Sequence, residues 1–162
     1  MTDHAYSPRT LWLKSFLALA ALAIAFLPAN ATDTLDVMAT VHQFVDSFNK
    51  GDVKTAIASC AAQTSIIDEF APYAWNGTGA CANWISDYDA DAKKNGITDG
   101  MVKLGEPWHV DVMADHAYVV IPASYTFKEK GKAVKESKSV LTIVLGKGDG
   151  GWRITGWTWS KH

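Results

Sequence analysis

Asp68 and Glu69 follow the apolar pair Ile66-Ile67 and lead into the aromatic loop Phe70-Ala71-Pro72-Tyr73-Ala74-Trp75. A carboxylate held among apolar side chains resists ionisation, so its pKa rises toward neutrality and it can take and return a proton there. Beyond the loop, Cys81, Trp84 and Tyr88 recur at spacings of three and four, which puts them on one face of a helix. Carboxylates at a strand end, an aromatic loop and an aromatic helix face are the parts of a cavity with an acid at its mouth. The competing reading is structural: a carboxylate bonded to backbone amides or a lysine, beside a packed aromatic core. Successive strand residues point to opposite faces, so only one of Asp68 and Glu69 is expected to face such a cavity.

Other reactive residue types carry less. His109 and Asp111 share a strand face, as a base and its orienting acid or as two metal ligands would. Trp108, Val110 and Val112 on the opposite face read as core, which leaves the polar pair solvated. His42 lies beside the apolar stripe of the first helix, toward the surface. Asp87, Asp89 and Asp91 imitate the start of a calcium loop, but its glycine position is Ala92 and its twelfth position Thr98, so they read as a wet helix face. No CxxC or HxxxH spacing occurs, so no metal is expected. No P-loop, dinucleotide fingerprint or Ser-His-Asp order occurs, and no cofactor is expected. With 15 basic and 17 acidic residues there is no basic stripe to hold a nucleic acid.

Residues 1–31 read as a signal peptide: Arg9 and Lys14, the apolar run Phe16 to Leu27, and Ala29-Asn30-Ala31 as a small-x-small cleavage site. The run is shorter than the roughly 20 residues a spanning helix needs. The expected mature chain, residues 32–162, is then one periplasmic or secreted domain with no membrane attachment. Cys60 and Cys81 both belong to it. In an oxidising compartment they most simply form one disulfide; two buried free thiols are the alternative.

These groups need elements to position them. Val37, Val41, Phe44, Val45 and Phe48 predict a helix over Leu35 to Asn49, capped by Asp33 or Thr34 and ended by Gly51. Asp52 caps a short second helix, Val53 to Ala61. Thr64 to Phe70 reads as a strand, Pro72 to Gly79 as an irregular loop, and Ala80 to Asn95 as a third helix capped by Thr78. Four strands follow, Met101 to Met113 (bent at Pro107), Ala117 to Phe127, Ala133 to Leu145 and Trp152 to Ser160. Their short turns predict antiparallel pairing in order. The class is α+β, with helices on one face of a sheet. Trp152 shares a face with Ile154, while plain alternation puts Trp157 and Trp159 on the other. A sheet with aromatics on both faces must cover both, which suggests a homodimer.

The helix end Asn49-Lys50-Gly51-Asp52, the Gly77-Thr78 turn before the third helix and Gly151-Trp152-Arg153-Ile154 opening the last strand, in this order and spacing, resemble the NTF2-like superfamily. Within it the chain resembles SnoaL-like and ketosteroid-isomerase-like domains. The resemblance covers nearly all of residues 32–162. It implies three helices wrapped into a cone by a strongly curved, mainly antiparallel sheet, an apolar pocket, and dimers. In the ketosteroid-isomerase register the general-base aspartate falls on Asp68. The oxyanion tyrosine falls on Phe44 and the second donor near Val140, both apolar, which argues against steroid isomerisation by that mechanism. The same register lines the pocket with Trp75, Trp84, Tyr88, Ile121, Ala123 and Tyr125, and Tyr125 offers a phenol in place of a lost donor.

Three functions follow as expectations. The first is an exported domain that holds a small, largely apolar molecule. The second is an isomerase, dehydratase or cyclase with Asp68 as general acid–base. The third is a non-catalytic dimeric accessory protein.

Overall fold

The computed structural model describes residues 29–161; the apolar run Phe16 to Leu27 lies outside them. Helix α1 spans Ala29–Lys50 and buries Val37, Val41, Phe44 and Val45. It starts ahead of the expected Leu35, and the cleavage site expected after Ala31 falls in its first turn. Asp33 therefore does not cap it. Asp33 instead accepts hydrogen bonds from Lys147 Nζ at 2.5 Å and Trp152 Nε1 at 3.4 Å. At the other end Gly51 takes the left-handed conformation, and the amides of Gly51 and Asp52 satisfy the carbonyls of Phe48 and Ser47. Asp52 caps α2 (Val53–Ala58) through the Thr55 amide at 3.1 Å. The Asn49 side chain works as a strand partner: it donates to Val102 O and accepts from Val102 N, each at 2.8 Å. The Asn-Lys-Gly-Asp helix end thus fixes α1 against the sheet.

Helix α2 is shorter than expected because β1 (Cys60–Ile67) begins at once. The loop expected after it contains a strand, β2 (Ala74–Thr78), antiparallel to β1 with Trp75 opposite Ile66. Helix α3 (Ala80–Asn95) starts from Gly79, whose positive φ turns the chain. Thr78 does not cap it and instead accepts from Gln63 Nε2 at 2.6 Å. The expected strand Met101 to Met113 splits around Pro107 into β3 (Ile97–Leu104) and β4 (His109–Met113). β5 (His116–Glu129), β6 (Lys132–Gly148) and β7 (Gly151–Ser160) follow.

Among the described residues the strands form one seven-stranded, mixed sheet ordered β2-β1-β7-β6-β5-β3, with β4 also on β5. The pairing of β1 with β7 is parallel and the other pairings among the described residues are antiparallel, which fits the expected mainly antiparallel sheet. Local alternation cannot reveal a partnership between strands some ninety residues apart. The α+β class stands, with α1 and α3 packed on one face of a curved, unclosed sheet. A disulfide joins Cys60 of β1 to Cys81 of α3, with their Cα atoms 6.5 Å apart.

Two bulges decide which side chains face the helices. In β7, Val144 pairs with Gly156 but Leu145 with Ile154, so Thr155 is an extra residue. The bulge brings Trp157 and Trp159 onto the same inner face as Ile154, opposite Ile143 and Leu141. This corrects the two-faced arrangement, and the crowding of tryptophans gives no argument for covering the outer face. In β6, Ala123 pairs with Ser139 but Tyr125 with Glu136, around Lys138 at φ 67°. That bulge turns Glu136 inward. Trp108, expected in the core, is 60% exposed, whereas Val110 and Val112 pack against it and His109 and Asp111 are exposed.

Candidate functional site

The strand that carries Asp68 stops one residue before it. The Asp68 amide donates to Tyr73 O at 3.1 Å, and the Tyr73 amide to Phe70 O at 2.8 Å. Because the chain curls here instead of continuing as a strand, opposite-face alternation no longer applies. Asp68 and Glu69 both line the same cavity, which corrects the expectation that only one could.

The cavity lies between α1, α3 and the inner face of the sheet. Its volume is about 130 Å³, or about 790 Å³ when wall interstices and the open solvent at its mouth are counted. Engineered cavities of about 150 Å³ hold benzene, and drug-sized sites start at about 300 Å³. The free space in this half-open hollow is therefore sized for one ring. Phe44 and Phe48 come from α1, Trp84 and Tyr88 from α3, and Trp157 and Trp159 from β7. The rings pack edge to face and at tilts: Trp84 and Trp157 at 4.8 Å between centroids, Phe48 and Tyr88 at 4.9 Å.

Both Asp68 oxygens are held. Oδ2 accepts from Trp84 Nε1 at 2.8 Å and Oδ1 from the Glu69 amide at 2.7 Å. Burial nevertheless raises the Asp68 carboxyl above the ordinary carboxylate range, against the lowering by these two bonds. Glu69 is raised too, first by burial and in part by Glu136. Lys161 bridges the mouth, 2.9 Å from Glu69 Oε2 and 2.8 Å from Glu136 Oε1. Glu136 Oε2 is buried without a partner.

The hydroxyls of Tyr88 and Tyr125 share a short hydrogen bond, and both residues line the cavity. Burial raises both phenols, so they stay protonated. When one hydroxyl donates to the other, the acceptor's own proton remains free for a ligand, polarised by the bond it receives. Gly100 makes room for the pair: a β-carbon there would meet Tyr125 Oη at 2.5 Å and Tyr88 Oη at 2.8 Å.

Of the residues singled out from sequence, Asp68, Phe44, Trp84, Tyr88 and Tyr125 line this cavity. Trp75, Ile121 and Ala123 do not. Trp75 is buried against Phe70, with its Nε1 donating to Asp87 at 2.8 Å, and Ile121 and Ala123 belong to the sealed core. Val140 faces away from Leu141, onto the outer side of β6, so the acid that β6 gives the cavity is Glu136. Glu136 escaped the sequence reading because strict alternation back from Leu145 through Ser139 skips it; Lys138, at positive φ, resets the phase. Asp91 also lines the cavity and is not part of a wholly wet face.

A family model described as "SnoaL-like domain" matches residues 37–161. The chain belongs to the SnoaL-like domain family. The match runs from the inner stripe of α1 to Lys161, so it contains every group of the site described above. No curated protein matches this SnoaL-like chain. Its fold is that of solved NTF2-like structures. One is an NTF2-like superfamily protein from Salmonella enterica serovar Typhimurium (TM-score 0.69, 16% identity, covering 82% of this chain and 93% of that one). A ketosteroid isomerase-like protein from Erwinia carotovora atroseptica gives a TM-score of 0.63 at 20% identity, covering 80% and 95%. An NTF2-like protein with a cystatin-like fold from Novosphingobium aromaticivorans gives 0.66 at 16% identity, covering 82% and 83%. At these identities the likeness of the SnoaL-like domain to them is one of fold.

Proposed function

We propose that the protein binds a small, largely apolar molecule in the Asp68 cavity. The supporting observation is the cavity itself: an aromatic hollow sized for one ring, with a half-buried carboxylate held at its wall by Trp84 and the Glu69 amide. Export, expected from residues 1–31, fits the Cys60–Cys81 bond, because disulfides persist in oxidising compartments.

A second reading is favoured by one further observation, the Tyr88–Tyr125 hydroxyl pair on the wall of the same cavity. A raised, oriented carboxylate and a phenol donor are the parts needed to move a proton on a carbonyl compound. Asp68 would take a proton from the carbon next to the carbonyl and return it, while the free phenol proton bonds the developing oxyanion. An isomerase, dehydratase or cyclase could be built on that step. Deuterium wash-in from D₂O next to the carbonyl of cyclohexanone tests it. The protein should exceed the buffer rate, and Asp68→Asn should fall back to it. Equal rates for both proteins would remove catalysis by Asp68 and leave binding.

A further inference from the structure

We infer that the cavity selects a ligand carrying a positive charge, a small ring bearing a protonated amine. This rests on the binding reading above and names the ligand class for the same site. Among the described residues, every ionisable group lining the cavity is an acid: the carboxyls of Asp68, Glu69, Asp91 and Glu136 and the two phenols. The cation at the mouth, Lys161, is already shared between Glu69 and Glu136. A carboxylate or phosphate on the ligand would therefore meet several negative groups and one cation already engaged.

The rings add a second and independent preference. Trp84, Trp157, Trp159, Phe48 and Tyr88 surround the hollow, and their π-faces are the negative end of the ring quadrupole. A desolvated cation gains from any ring face within its reach, more than a neutral hydroxyl does. A third observation concerns hydrogen bonding. Glu136 Oε2 is buried with no donor, an arrangement that costs free energy until a donor reaches it. An ammonium carries three donors and no acceptor, which suits the carboxylates that line this wall better than it suits the single free phenol proton.

Three probes of one ring size separate the possibilities: benzylamine, benzyl alcohol and benzoate, titrated into the purified protein at neutral pH. Binding is followed by tryptophan fluorescence and by calorimetry. Benzylamine should bind about tenfold or more tightly than benzyl alcohol, with benzoate weakest. Raising the salt from 0.05 to 0.5 M should reduce this preference in the native protein, about as expected for an attraction partly open to solvent. Glu136→Gln and Asp68→Asn should each lower the amine-to-alcohol affinity ratio. Equal affinity for amine and alcohol, or tighter binding of benzoate, would overturn the inference while leaving a ligand-binding cavity. An amine preference that survives both substitutions and high salt would overturn its assignment to these carboxylates. Failure of all three probes to bind would overturn this inference and the binding proposal together.

Discussion

The two halves of α1 meet the same sheet with opposite results. Toward its start, Val37 and Val41 lie against a sealed layer that includes Val119, Ile143, Leu145 and Ile154, all at most 1% exposed. Toward its end, Phe44 and Phe48 meet Trp84, Tyr88 and Trp157, and a hollow remains. Branched aliphatic side chains interdigitate and close gaps to near crystal density. At the other end the rings meet in tilted, stacked and edge contacts around a hollow that several carboxylates also line. The two bulges mark where one regime gives way to the other, because each changes which residues face inward. Close packing is thus concentrated at the aliphatic end and the proposed ligand site at the aromatic end.

Substitutions at the two ends should separate stability from cavity properties. Ile143→Ala removes a fully buried side chain from the sealed end and should cost about 2–5 kcal/mol in urea denaturation. A loss under about 1 kcal/mol would mean that this end is not close-packed. Gly100→Ala acts at the other end, where the new methyl must displace the tyrosine hydroxyls. It should cost about 1–3 kcal/mol and alter tyrosine absorbance near 280 nm. An unchanged spectrum with full stability would show that the hydroxyl pair does not lean on Gly100.

The smallest effect concerns Asp68, and its sign is the informative part. Burial raises this carboxyl, so the folded state favours the protonated acid. That contribution is complete below the ordinary carboxylate pKa and is lost as pH rises through the folded value. Asp68→Asn, neutral at every pH, should therefore be more stable than the native chain at about pH 7, by about 0.5–1 kcal/mol. Near about pH 3 the two should be alike. Lower stability of the variant at neutral pH would show that the bonds from Trp84 and Glu69 outweigh burial, and would place Asp68 among structural groups.

Much of this arrangement was legible along the chain. The stripes Val37-Val41-Phe44-Phe48 and Cys81-Trp84-Tyr88 identify α1 and α3, Gly51 marks the end of α1 and Asp52 the start of α2. Asp68, Trp84 and Tyr88 stand out from the residues themselves, whereas Tyr125 follows only from the family register. Three misses share one cause. Trp157, Trp159 and Glu136 were misplaced or overlooked because a single extra residue inverts the phase of alternation, and nothing local announces it. The assignment of Trp75, Ile121 and Ala123 to the cavity wall came from a family register. That register places a residue on an element but does not say whether neighbours bury it.

The sequence alone determined the helices, most of the strands and the supply of acids and aromatic rings, because these depend on side-chain type and on periods of two and 3.6 residues. Tertiary structure decided the parallel seam between β1 and β7, the inward turn of Glu136, the shared cavity of Asp68 and Glu69, and the meeting of Tyr88 with Tyr125. Each of these depends on how distant strands align and where one residue is left unpaired, which is a balance over many contacts at once.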